Sequence, residues 1–171
     1  MVEVLRVLLL LALAAAALTT AALGFSWWME PTRRLDRAMK RVLAGSAEVI
    51  AVSSHEGKAV GLDFDSGQLA VLWDRGANGL VYAFDEVQGA ELIVDGHVLA
   101  RIRRREPRRD LDVLAPDANT VVLRLLFADT RQPEFELTLW NAVQPTETGS
   151  PSEALRQGRR WLSHIEAMVR G

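Results

Sequence analysis

The spacing of apolar and polar positions divides the chain into three regimes. Residues 7–29 carry no charge and are almost wholly apolar, interrupted only by Thr19, Thr20, Gly24 and Ser26. A run of this length matches the roughly 20 apolar residues a helix needs to cross a hydrocarbon core of about 30 Å. It therefore predicts a transmembrane anchor over residues 1–29, closed by Trp27 and Trp28, whose indoles suit the headgroup boundary. Residues 30–45 then form a basic juxtamembrane helix or linker. Thr32 is its expected cap, and Leu35, Ala38, Met39, Val42 and Leu43 recur at helical spacing.

After Gly45 the period changes to two. Strands are expected at 47–52, 58–64, 68–73, 80–84, 90–94, 97–103, 120–128 and 134–140. Asp65-Ser66-Gly67 and Asp95-Gly96 read as hairpin turns, the latter the strongest hairpin dipeptide in the chain, and 75–79 ("RGANG") as a further turn. In 134–140, Phe135, Leu137 and Leu139 alternate with polar neighbours. The final segment, 151–170, returns to a helical stripe of Ala154, Leu155, Gly158, Trp161, Leu162, Ile165, Met168 and Val169. It is opened by Ser150-Pro151-Ser152-Glu153 at capping-box spacing. Gly158 on the apolar stripe predicts a close approach, since glycine costs a helix about 1 kcal/mol relative to alanine. The expected architecture is an N-terminal transmembrane helix plus an α+β, mainly-β domain at 46–171, with about seven antiparallel strands in a barrel or sandwich and a C-terminal amphipathic helix.

That order, strands followed by one amphipathic helix, is the order of a pleckstrin-homology-like barrel. Two stretches, "LVYAFDEVQGAELIVDG" and "LRLLFADTRQPEFELTLW", resemble bacterial membrane-anchored proteins of unknown function that carry such a module. The resemblance covers about residues 58–170 and implies that fold. Its motifs are structural, so it transfers no active-site residue, and a fold alone does not specify a function.

Composition changes this picture in two places. The formal net charge of −2 gives no global attraction to nucleic acid, and the absence of cysteine removes disulfides, thiolate metal sites and a thiol nucleophile. Locally, Arg33, Arg34, Arg37, Lys40 and Arg41 follow the apolar run, while Arg6 and the terminal amine precede it. Basic flanks stay cytoplasmic. The expected placement is the bacterial inner membrane with the domain facing the cytoplasm, on a single-pass anchor. Cleavage of an export signal near Ala22, with a periplasmic domain, is the alternative.

Candidate chemistry is sparse. The dense basic stretch "RIRRREPRRD" contains Arg101, Arg103, Arg104, Arg105, Arg108 and Arg109. With Arg33, Arg34 and Arg37 these are the candidate contacts for anionic lipid headgroups or an acidic protein partner, because guanidinium groups bind phosphate and carboxylate bidentately. The same arginines also suit a solvated loop that protects a strand edge. No aromatics interleave for base stacking, so no nucleic acid is expected. "DFDSG" (63–67) lacks the glycine position and flanking helices of a calcium loop. His55, His97 and His164 have no ligand spacing, and "SSHEG" (53–57) lacks a nucleophile elbow. The expectation is a binding or scaffolding module with no metal, cofactor or catalytic residue.

Overall fold

The computed structural model describes residues 6, 10, 12–20, 31–44, 47–110, 117–144 and 146–170. Within the apolar run, residues 12–20 are helical and exposed. The hydroxyls of Thr19 and Thr20 donate to the carbonyls of Ala15 and Ala16, four residues back. Among the described residues no helix is long and apolar enough to cross a membrane. The expected transmembrane helix is therefore not found among the described residues. Trp27 and Trp28 lie outside the described residues.

The first packed element is α1, Pro31–Val42. Thr32 sits inside its first turn rather than capping it. Among the described residues nine strands follow: β1 Val49–Ser53, β2 Lys58–Asp63, β3 Gln68–Trp73, β4 Asn78–Ala83, β5 Val87–Val94, β6 His97–Arg103, β7 Arg109–Asp110, β8 Thr120–Phe127 and β9 Glu134–Asn141. The chain ends in α2, Pro151–Arg170. Ser150 Oγ accepts from the Glu153 amide, and the Glu153 carboxylate reaches back to the Gly149 amide, so the capping box is present in slightly lengthened form.

The strands form two antiparallel sheets, in the orders β1-β2-β3-β4 and β7-β6-β5-β8-β9. This corrects the expectation of a single pleckstrin-homology-like barrel. A 3₁₀ turn at Phe84–Glu86 carries the chain from one sheet to the other without a β4–β5 ladder. On the other side β1 and β9 touch but share no register. The link there is made by side chains: Glu56 accepts from the amide and hydroxyl of Thr138, and Lys58 Nζ donates to the Glu136 carbonyl.

Alternation explains the layers. Val60 and Leu62 of β2 and Leu69 and Val71 of β3 face the principal core, which they share with Leu92, Leu123, Leu125, Leu137, Trp161 and Ile165. The intervening residues Ala59, Ala70 and Leu72 face the other way and are covered by Leu35, Ala38, Met39 and Leu43 of α1 and its C-terminal turn. At β2 and β3 the first sheet is thus buried on both faces, and α1 is part of the folded body rather than a linker. α2 packs on β5, β6, β8 and β9. Gly158 lies against the Leu92 side chain, so the expected close approach is present and its partner is a core leucine.

Turn geometry follows sequence at one hairpin and departs from it at another. Asp95 and Gly96 both take positive φ (48° and 80°), as a two-residue type I′ turn requires. In the 75–79 stretch the reversal falls at Asp74–Gly76, and Asn78 and Gly79 are already paired with Trp73 and Leu72.

Candidate functional site

The basic stretch after β6 is largely engaged within the fold. Arg101 Nη2 lies 3.4 Å from Glu106 Oε2, and Arg103 Nη2 lies 3.4 Å from Glu91 Oε1. Arg108 bridges Glu166 of α2 at 3.0 Å and Asp110 at 2.9 Å. Arg104 donates through Nη2 to the carbonyls of Phe84 and Val87. Beyond Pro107, Arg109 and Asp110 form the short β7 against Arg101 and Ala100. Only Arg105 and Arg109 present exposed side chains with no hydrogen bond or ion pair among the described residues. The stretch therefore acts chiefly as a clasp joining β6 to α2 and to the inter-sheet turn, which its composition alone did not reveal.

The other predicted cations stand differently. α1 buries Leu35, Met39 and Leu43 almost completely, which fixes the rotation of the helix about its axis. Arg33, Arg34, Lys40 and Arg41 consequently point outward, with Arg37 half-buried beside them. The one acidic residue on α1, Asp36, pairs with Lys40 at 3.0 Å. This is a rigidly presented basic face, at the point where the chain leaves its apolar N-terminal run.

A second feature was not foreseen. Phe64, Phe84, Asp85, Arg104, Ala167 and Met168 line an open cleft of about 580 Å³. The Phe64 and Phe84 rings meet edge-on with centroids 6.2 Å apart, and His164 backs Phe64 at 5.4 Å. Burial and the neighbouring Arg160 cation hold the His164 imidazole below its ordinary 6.5. No sequence signal could have joined these residues, which come from the ends of β2 and β6, the inter-sheet turn and the last turns of α2.

The remaining candidates resolve into structural roles. Asp63 Oδ1 accepts from the amides of Asp65 and Ser66, and these bonds hold its carboxyl below the usual range. The Ser66 hydroxyl, ahead of these amides, is the largest cause of that lowering, and "DFDSG" is thus a self-capped hairpin turn. His55 lies in the β1–β2 turn, His97 at the start of β6 and His164 on α2. Among the described residues no three His, Asp or Glu side chains gather as a metal site would require.

On the outward face of the second sheet, Glu91, Arg124 and Glu136 stand opposite one another on β5, β8 and β9. Arg124 bonds Glu136 and Glu91, and Arg103 closes the row. This cross-strand ladder explains how Glu91 is tolerated at 5% exposure, because a buried carboxylate needs paired charges.

No family model, no curated protein and no solved structure matches the chain. The resemblance to membrane-anchored proteins with a pleckstrin-homology-like module gains no support from these comparisons.

Proposed function

We propose that this chain is a non-catalytic binding module that docks on an anionic lipid headgroup layer through α1. One observation carries the reading: α1 is clamped to the first sheet by Leu35, Ala38, Met39 and Leu43, so Arg33, Arg34, Lys40 and Arg41 project together from the body. A clamped helix loses little further conformational freedom on contact, which favours binding. Each cation brought to an anionic surface contributes about 1 kcal/mol, screened beyond a Debye length of about 8 Å at physiological salt. The cytoplasmic leaflet, where anionic lipids concentrate, is the surface this face fits.

The test is co-sedimentation of the full chain with vesicles of phosphatidylcholine alone or mixed with phosphatidylglycerol. The apolar N-terminal run contributes equally on both, so the ratio of the two affinities isolates the basic face. Arg34→Glu with Arg41→Glu is expected to lower that ratio about tenfold or more and to abolish its salt dependence. An unchanged ratio in a normally folded variant refutes the proposal.

A further inference from the structure

We propose that the cleft between α2 and the inter-sheet turn binds a short segment of a partner protein that carries a large apolar side chain next to a carboxylate. The inference is independent of the lipid-docking face, which lies on α1.

The frame of the cleft is rigid. The Phe84 amide donates to the Gly67 carbonyl at 3.0 Å, tying the turn to the β2–β3 hairpin. The Arg104 amide donates to Gln88 at 2.8 Å, and its guanidinium reaches Phe84 and Val87. Phe64, at 39% exposure, is one of the few large apolar side chains of the folded body left open to solvent. It sits against a second ring and near Met168, a flexible thioether that adapts to varied apolar partners. Apolar anchors with a convergent polar group are the usual composition of a binding hot spot.

The polar groups choose the ligand. Arg104 is held by carbonyls and not by an acid, so its charge has no ion-pair partner among the described residues. Its Nη1 group makes no hydrogen bond among those residues. Asp85, on the same cleft, likewise has no hydrogen bond or ion pair among them. A ligand that brings an acceptor, best a carboxylate, to Arg104 and a donor to Asp85 complements both charges. A peptide segment does both, through an acidic group and a backbone N–H, while its apolar side chain enters between Phe64, Phe84 and Met168. A fatty acid or anionic lipid supplies the acid and the apolar part but has no donor for Asp85.

The experiment uses full chain labelled at the methionine methyls, probed with a displayed library of nine-residue peptides and, separately, with dodecanoate. The expected result is enrichment of peptides with Phe, Trp, Leu or Met within two positions of Asp, Glu or the C-terminus. Those peptides shift the Met168 methyl resonance and leave Met39, buried between α1 and the first sheet, unmoved. Phe64→Ser is expected to weaken them about tenfold or more while leaving the thermal midpoint near that of the parent. No enrichment, enriched peptides that leave the Met168 resonance in place, or a response to dodecanoate without one to peptides overturns the proposal. The Met168 readout is made on the unsubstituted chain, so it decides the matter even if Phe64→Ser folds poorly.

Discussion

Met39 of α1 rests directly on Gly61 of β2: a Cβ at Gly61 would lie 2.6 Å from Met39 Sδ and 2.7 Å from its Cγ. Helix and sheet meet this closely because the sheet presents small residues, Ala59, Gly61 and Ala70, at the contact. The consequence is that the body of the protein begins at α1 and not after it.

Shortening Leu35 to alanine should therefore cost about 2–5 kcal/mol in urea unfolding, the range for a buried leucine. Gly61→Val should cost about 1–3 kcal/mol by overpacking the same contact. A fragment starting at residue 45 leaves the α1 face of the first sheet bare and should aggregate or bind a hydrophobic dye, whereas one starting at 31 should not. A monomeric, dye-silent fragment from 45 would show that α1 is dispensable.

Tyr82 stacks on Phe127 with ring centroids 4.0 Å apart, and its hydroxyl reaches Asp129 at 3.2 Å. Burial first and the Asp129 charge second push it up to about 12. It is the chain's single tyrosine, so ultraviolet titration reads it alone. Ionisation should occur near that value in the folded protein. The native state keeps a proton that the unfolded state loses above about 10, so stability should decline as pH rises through this window. Asp129→Asn should bring the midpoint part of the way down.

His164 moves in the other direction. Its folded value is depressed, so below about 6.5 the unfolded chain binds a proton that the native chain refuses. Its contribution to stability is present at neutral pH and lost on acidification. His164→Gln should flatten the fall in thermal midpoint between about pH 7 and 5 relative to the parent. An identical slope in both would mean that the imbalance lies elsewhere.

The ladder of Arg103, Glu91, Arg124 and Glu136 gives a fourth test. Arg124→Ala leaves Glu91, at 5% exposure, with Arg103 alone. The loss should be about 1–2 kcal/mol, since Arg124 itself is partly solvated and its pairs are screened. A combined Arg124→Leu, Glu91→Leu variant should recover part of it.

Much of the fold was legible in local pattern. The two-residue period located β3 and β6 to the residue, positive-φ chemistry located the Asp95-Gly96 turn, and capping spacing located the start of α2. These are properties of adjacent residues and need no tertiary partner. Hydropathy over 7–29 was equally local, but it measures solubility in hydrocarbon and not the extent of a helix, and among the described residues no helix is long and apolar enough to cross a membrane.

What only the tertiary structure decided is which surfaces remain. The dense arginine stretch read either as a grip for anions or as a solvated loop guarding a strand edge, because composition counts charges without their partners. Folding brings Glu91, Glu166 and the carbonyls of Phe84 and Val87 to it across long sequence separations. The basic segment before β1 read as a juxtamembrane helix or linker, outside the domain, because its apolar stripe had no visible target. That target is the back of a sheet, which exists only once β1 to β3 have paired. The cleft of Phe64, Phe84, Arg104 and Met168 left no trace in the sequence, since its walls come from four separate elements and meet only when α2 packs on the second sheet. Charge and periodicity are written along the chain; exposure is a property of the packed whole.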